Sequence, residues 1–430
     1  MKGNAGQTLV VILFSVLFIF ALFFRTSMAV IVEDLMIEFT IPAASLGLMS
    51  SAFFYGYASM QLPVGLLSDR IGIRRTVLCF GLLGGIGSLL FAYAPGVQTA
   101  TLGRLLTGAG TAGVWIPALK YLSLNYRPQV FASLTSIISA VGCLGPILAT
   151  LPLAVLVEAR GWRFPFILAA LLMVLLVGLT WYLMGRPAGA RPHKARGDEA
   201  EEKISIVVEP PATGKEQGPF WRHPVFWYFS LWAFLFYGAV FSFSALWGAA
   251  YLQETFQLSR EVAGTHLLFS SIGLLCGSLF WGVVSDRIVK ARRPLLLCGT
   301  CSYLILWGIM FVLHTYPGFF LTSLLYFSLG FCGMSFILIL SATKEYFPLR
   351  TAGTAMGALN ALMLGGVAVF QGITGYLLDF FHAATIMTGY RAIFLFYLIT
   401  LAIAFVFVML MPETYPGKSK KPPVSGKTVI

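Results

Sequence analysis

The chain has 430 residues, of which 58% are apolar, 15% aromatic and only 11% charged, and its formal net charge is +12 at pH 7. A water-soluble domain carries about a quarter charged residues, so this composition excludes an ordinary soluble globular protein. It indicates instead a chain embedded in a lipid bilayer, the solvent in which so much apolar surface is stable.

Apolar stretches long enough to cross a bilayer, about 20 residues each, recur twelve times along the chain. The first six spans are predicted at about residues 8–32, 46–67, 77–95, 98–121, 131–157 and 163–184, and the second six at about 224–252, 264–284, 295–314, 318–341, 353–378 and 389–411. The fold class predicted is an all-α membrane protein with two pseudo-symmetric six-helix bundles.

Polar composition marks the boundaries between these predicted bundles. The longest polar stretch contains "GDEAEEK" with several prolines and glycines, and it is typical of a flexible linker. The predicted domains are an N-terminal bundle at 1–184, a cytoplasmic linker at 185–222, a C-terminal bundle at 223–411 and a cytoplasmic tail at 412–430.

Basic residues predict the orientation. Most of the 29 lysines and arginines fall in the linker, in the tail and in loops on one side of the predicted bundles. Because such loops stay in the cytoplasm, both termini are expected there. The net charge is thus a topology signal, and no nucleic-acid partner is expected. Short loops favour the inner membrane of a bacterium, and a monomer.

A polar hairpin occurs twice, as "GLLSDRIGIRR" at 65–75 and as "GVVSDRIVKARR" at 282–293. Asp69 of the first hairpin matches Asp286 of the second, and "GWRFPF" near the end of the first half is matched by "GYRAIF" in the second. Ordered repeats at similar spacings indicate a duplicated six-helix unit. Duplicated halves around a central site are typical of carriers that alternate their access.

These features resemble the major facilitator superfamily over essentially the whole chain. The resemblance implies two bundles that rock about a midplane cavity. It also implies that each loop aspartate engages the facing half while the cavity is open to the outside, and releases it as the inner gate opens. The gating residues implied are Asp69 with Arg70, and Asp286 with Arg287. The other bases of the hairpins are interpreted as topology anchors.

Two charged residues lie well inside predicted spans, Arg25 in the first and Arg104 in the fourth. A charge at this depth costs about 3 kcal/mol or more, so it is expected to face a cavity or a partner. Guanidinium groups without a nearby acid match the geometry of a carboxylate or phosphate. Two structural interpretations stay open: Arg104 bonds only backbone carbonyls, or Arg25 extends to the membrane surface.

A closer similarity concerns "FFRTSMAV" and "SSAFFYGYASMQLPVGLLSDRIG", which resemble the anion:cation symporter family and, more loosely, the sugar-phosphate permeases. It implies that Arg25 and Arg104 bind the substrate anion and that Asn360 lines the cavity. This chain has Phe24 and Thr111 where proton-coupled members have acids, so exchange, facilitated diffusion or another coupling route stays open.

Polar and aromatic residues in pore-lining spans complete the predicted substrate site, although each is also an ordinary packing residue: Tyr55, Gln61, Tyr237 and Trp247. We find no nucleotide-binding motif and no catalytic or metal-ligand cluster, so no cofactor and no enzymatic activity are expected.

The function predicted is a secondary active transporter of a small organic anion, a carboxylate or a phosphorylated compound, with a coupling ion or counter-substrate left open. One alternative is an efflux carrier for amphipathic or cationic compounds, which the 37 phenylalanines and "GCLGP" in the fifth span favour. A second is a membrane-embedded ligand sensor that does not transport.

Overall fold

The computed structural model describes residues 5–126, 128–185, 220–382 and 385–415, and almost all of them lie in helices joined by short loops. Most of the predicted linker, and the tail beyond residue 415, lie outside these ranges. Within the described residues the fold is all-helical, as the composition predicted.

The N-terminal half contains the first six spans in chain order. Its helices are Ala5–Thr26, Val32–Phe39, Ala43–Arg70, Ile73–Ala92, Val97–Asn125, Pro128–Gly142, Leu144–Leu148, Leu151–Arg160 and Arg163–Gly185, and a 3-10 turn, Ser27–Val30, extends the first. The three helices between residues 128 and 160 together form the fifth span.

The C-terminal half repeats this order. Its helices are Pro224–Ser242, Gly248–Phe256, Arg260–Val283, Arg293–Val312, Phe319–Gly333, Ile337–Tyr346, Leu349–His382 and Ile386–Leu410. The first two are continuous through a π-helical turn at Phe243–Trp247 and form the seventh span, and a second π-helical turn, Val284–Ile288, follows the eighth.

Length and hydropathy identify most of these spans as membrane-crossing. Nine helices in the described ranges qualify, and two bent helix pairs raise the number to eleven. The helix of the fourth predicted span, Val97–Asn125, is not among these nine, because its many Gly and Thr residues lower its mean hydropathy. Its 29 residues exceed the roughly 20 that a crossing needs.

Backbone packing shows the duplication directly. A Cβ atom at Gly108 would lie 1.9 Å from the carbonyl oxygen of Phe53, and one at Gly330 would lie 2.0 Å from that of Ser270. Phe53 and Ser270 are as far apart in the sequence as the two hairpin aspartates, Asp69 and Asp286. Gly108 and Gly330 are separated by nearly the same number of residues. In each half the second span therefore crosses the fourth at the same glycine-mediated contact.

The two ends of the bundle differ in how the halves meet. We call the end with both polar hairpins the linker face and the opposite end the far face. At the far face Arg260 of the C-terminal half donates a hydrogen bond to Asp34 (3.0 Å) and lies 3.9 Å from Glu158, and Gln253 donates one to Glu33 (3.3 Å). These contacts join the halves and close the far face.

Local features that sequence patterns did not predict lie at this closed end. Helix Val32–Phe39 follows the first span and makes an angle of 119° with Ala43–Arg70. The fifth span bends by 44° before Leu151–Arg160, next to Thr150. Both features shape the far face, and hydropathy alone does not indicate the direction of such short helices.

Candidate functional site

Arg25 lies where the first span stops being regular, two residues before the 3-10 turn. Its Nη1 donates a hydrogen bond to the hydroxyl of Tyr237 in the other half (3.1 Å), and its Cζ lies 5.1 Å from the ring centre of Tyr57. Tyr237 is near the middle of the stretch Pro224–Phe256. The half-buried guanidinium of Arg25 therefore joins the two halves between two candidate membrane spans, Gly6–Val30 and Pro224–Phe256.

Aromatic rings pack around the tyrosine that Arg25 bonds. The ring of Tyr237 lies 4.4 Å from that of Phe241 and 4.7 Å from that of Phe336, the latter almost perpendicular. All of these side chains, like Tyr57, are buried. A ring face attracts a cation, but it does not neutralise the charge, so the Arg25 guanidinium keeps its positive charge without a bonded carboxylate among the described residues.

Arg104 lies deeper in the N-terminal half and is 1% exposed. Its Nη1 donates a hydrogen bond to the carbonyl oxygen of Phe24 (2.9 Å), and its Cζ lies 4.8 Å from the ring centre of Phe53. Its Nε and Nη2 atoms are buried without a partner among the described residues. The side chain thus supports the end of the first helix, one residue before Arg25.

The C-terminal half contains an equivalent contact made by an uncharged residue. Tyr326 donates a hydrogen bond from its hydroxyl to the carbonyl oxygen of Gly248 (2.7 Å), where the seventh span leaves its π-helical turn. Tyr326 follows Arg104 at the sequence separation that also relates Gly330 to Gly108, and Gly248 follows Phe24 at nearly the same one. In both halves, then, a long side chain of the fourth span donates a hydrogen bond to a carbonyl group where the helix of the first span becomes irregular.

The second span presents its functional face at four-residue steps, through Phe53, Tyr57 and Gln61. The rings of Phe53 and Tyr57 are 6.2 Å apart, and Gln61 is half-buried one turn nearer the linker face. Tyr55 lies on a different face and is 46% exposed. Sequence reasoning missed Tyr57, which the spacing of four from Phe53 and the contact with Arg25 single out.

Trp247 and Asn360 are the two remaining predicted residues, and neither has a hydrogen bond to Arg25 among the described residues. Trp247 is fully buried and donates from Nε1 to the hydroxyl of Thr374 (2.8 Å), so it joins the seventh and eleventh spans. Asn360 is half-buried in the helix Leu349–His382, two turns nearer the linker face than Val367. Their roles in binding stay predictions.

The model of the Major Facilitator Superfamily matches residues 13–259 and 233–429, one match for each half. The chain belongs to this superfamily. It is therefore a transporter rather than an enzyme, as the sequence indicated.

The superfamily members most similar to this chain include two named carriers. The gentisate transporter of Corynebacterium glutamicum is 27% identical over 79% of this chain and 74% of its own length. The hexuronate transporter of Bacillus subtilis is 23% identical over 86% of this chain and 88% of its own length. A bacterial homolog of the human lysosomal transporter Spinster, solved in an inward-facing and occupied conformation, shares the fold with a TM-score of 0.74. That structure is 16% identical, and the match covers 95% of this chain and 97% of that one.

The predicted gating residues of this superfamily member pair within their own halves at the linker face. Asp69 forms an ion pair with Lys120, which also donates to the carbonyl oxygen of Ser68 (2.7 Å). Asp286 accepts a hydrogen bond from Arg292 (2.6 Å). Arg70 and Arg287 are exposed. The aspartates thus bond locally while the far face is closed.

A denser charge cluster holds the linker face of the C-terminal half. Arg292 donates to Glu345 and Asp286, and the carboxylate of Glu413 accepts the backbone N–H groups of Arg292 and Arg293. Burial lowers the pKa of Arg292, but the hydrogen bonds and charges of Glu345 and Asp286 outweigh burial and raise that pKa above its usual value. The cluster therefore keeps its positive centre at all physiological pH values.

Proposed function

We propose that this transporter carries small organic anions, chiefly carboxylates, and binds them at Arg25. One observation carries the proposal: a half-buried guanidinium group lies between the halves, and its hydrogen-bond partner is the neutral hydroxyl of Tyr237. No carboxylate lies within ion-pair distance of Arg25 in the part of the chain that the structure describes. A charge at this depth is stabilised by an opposite one, which a carboxylate substrate supplies.

The names of the similar carriers support this class, because gentisate and hexuronates are both carboxylates. The surroundings of Arg25 narrow it further. Tyr57 lies against the guanidinium, and Phe241 and Phe336 pack on the ring of its hydrogen-bond partner Tyr237, so a planar ring finds aromatic side chains close to the charge. We therefore expect carboxylates that carry a ring to bind more tightly than linear ones.

Movement of the substrate is proposed to follow alternating access between the halves. The far-face contacts hold the present state closed at that end, and Gln61 and Asn360 lie on the linker side of Arg25, where we propose that they line the path. Asp69 and Asp286, now paired within their own halves, are proposed to engage the facing half when the linker face closes. With basic loops at the linker face, we propose that this face is cytoplasmic.

We do not propose proton coupling at Phe24 and Thr111, the positions where proton-coupled members of the anion:cation symporter family have acids. Phe24 is a buried ring, and Thr111 donates its hydroxyl to helix carbonyls, including that of Thr107 (2.9 Å). Neither side chain exchanges a proton at physiological pH. Proteoliposome flux with and without an internal anion separates exchange from facilitated diffusion.

The test uses the purified full chain with gentisate, a hexuronate, a linear carboxylate and a cationic dye as ligands. Thermal stabilisation and uptake into proteoliposomes are expected for carboxylates. Arg25→Gln is expected to abolish both, whereas Arg25→Lys retains the charge and a weakened response. Arg160→Gln, which removes an exposed arginine at the far face, is the matched control.

Three outcomes contradict the proposal. If Arg25→Gln leaves carboxylate uptake intact, Arg25 is not the anchor. Stabilisation by the cationic dye alone indicates the efflux alternative. Carboxylate binding without uptake indicates the sensor alternative.

A further inference from the structure

The second and eleventh spans meet at the far face along a short seam between the two halves. On the eleventh span the contacting residues recur every four positions, so they share one helix face. A Cβ atom at Gly47 would lie 2.4 Å from the carbonyl oxygen of Gln371, and one at Gly375 would lie 2.5 Å from that of Ala43. We call this contact the far-face seam, and its residues are Ala43, Ala44, Gly47, Gln371, Gly375 and Asp379.

Asp379 closes one end of the seam by capping a helix that belongs to the other half. Its two carboxylate oxygens accept hydrogen bonds from the backbone N–H groups of Ala43 (2.8 Å) and Ala44 (2.7 Å). The helix Ala43–Arg70 has Pro42 at its N-cap and no side-chain cap of its own there. A carboxylate at a helix N-terminus satisfies otherwise unpaired N–H groups and interacts favourably with the helix dipole.

Gln371 acts in the opposite direction, two helical turns away on the same span. Its side chain is fully buried, and both its amide nitrogen and its amide oxygen lack a hydrogen-bond partner among the described residues. A buried amide without partners is unfavourable relative to a hydrated one. Separation of the two spans lets water reach this amide, so Gln371 favours an open seam.

We propose that the far-face seam is a balanced switch, in which Asp379 holds the far face closed and Gln371 favours its opening. The two terms oppose each other at one contact between the halves, which keeps the closed and open states close in free energy. A carrier needs that balance, because a gate with only the latch stays closed. The proposal is independent of which anion is carried.

The test measures the distance between the halves at the far face by double electron–electron resonance in nanodiscs. Spin labels are placed at Tyr93→Cys and Thr315→Cys, in exposed far-face loops of the two halves and outside the seam. The background is the full chain with its six native cysteines replaced, after its uptake activity has been verified. Each variant is compared in this same labelled background.

Asp379→Asn replaces one acceptor oxygen with an amide nitrogen that cannot accept a hydrogen bond, so it breaks the paired cap. We expect the ratio of the population at the closed distance to the population at the open distance to fall about tenfold. Gln371→Leu is measured in the Asp379→Asn background, where the larger open population makes a shift back toward the closed state easier to detect, and it is expected to restore the closed distance. Glu261→Gln removes an exposed far-face charge and is expected to change nothing.

The two substitutions in the seam must act in opposite directions, and a merely structural role does not produce that pattern. An unchanged distance distribution in Asp379→Asn overturns the latch. A further increase of the open population on adding Gln371→Leu overturns the opposing role of the amide. Carboxylate uptake that persists in Arg25→Gln, together with the expected distance shifts in the seam variants, contradicts only the proposed substrate site, so the two failures are distinguishable.

Discussion

Replacement of Arg104 by methionine separates a structural arginine from a substrate ligand. Arg104 makes one hydrogen bond, to the carbonyl oxygen of Phe24, and leaves two nitrogen atoms buried without partners among the described residues. Tyr326 makes the equivalent bond in the other half without any charge. We therefore expect Arg104 to position the helix end that presents Arg25 and to make no direct contact with the anion.

The contacts set the expected magnitudes. Removal of Arg104 leaves the Phe24 carbonyl group with the longer hydrogen bond from the Ser27 hydroxyl (3.4 Å), so the loss costs at most about 1–3 kcal/mol of stability. It also removes the buried N–H groups of Nε and Nη2, which have no partner among the described residues and whose burial costs about as much for each nitrogen. The thermal stability of Arg104→Met is therefore expected to be equal to that of the wild type or higher.

Anion affinity is the deciding measurement, made by isothermal calorimetry with gentisate on purified Arg104→Met. A positioning role predicts a Kd within about tenfold of the wild type, or roughly 1.4 kcal/mol. Loss of a directly paired charge costs roughly 2–5 kcal/mol, or about 30-fold and more in Kd. A change of that larger size, at unchanged thermal stability, would refute the positioning role.

Two further predictions concern the C-terminal half and the linker face. Tyr326→Phe removes the hydroxyl that bonds the Gly248 carbonyl group and is expected to lower the free energy of unfolding by about 0.5–1.5 kcal/mol. Ser328→Ala, which removes a hydroxyl bonded within its own helix, is expected to leave the thermal transition nearly unchanged. Arg292→Gln is expected to destabilise the protein by up to about 3 kcal/mol, and Lys120→Gln by less than about 1 kcal/mol. The reason is burial, because the Arg292 side chain is 8% exposed and that of Lys120 is 27% exposed. Equal shifts in melting temperature would contradict this order.

Periodic apolar stretches were enough to predict the spans, since a bilayer demands the same length from each. The repeat spacing predicted the duplication. The residues at which the second and fourth spans cross in the two halves, such as Phe53 and Ser270, are as far apart in the sequence as Asp69 and Asp286. Where a span is rich in Gly and Thr, as at Val97–Asn125, packing against neighbours replaces hydropathy as the stabilising term.

The direction in which a side chain points was much harder to predict. Tyr55 and Tyr57 stand two residues apart, so they lie on different faces of one helix, and hydropathy does not say which face meets Arg25. Asp379 and Gln371 act through contacts with the other half, which a linear pattern does not contain. Tyr326 was predictable in principle, because it is as far from Arg104 in the sequence as Gly330 is from Gly108.

The carboxylate of Glu413 has a practical consequence for anyone who shortens or fuses this protein. Four backbone N–H groups, those of Arg292, Arg293, Thr414 and Tyr415, converge on it, and the hydroxyl of Tyr415 reaches back to the Asp286 carbonyl group. The last described residues thus fasten the start of the ninth span, Arg293–Val312, to the polypeptide that follows the twelfth span. Affinity tags and fluorescent fusions belong after residue 415, and a deletion that begins at 411 would undo this clasp while leaving every membrane-crossing helix intact.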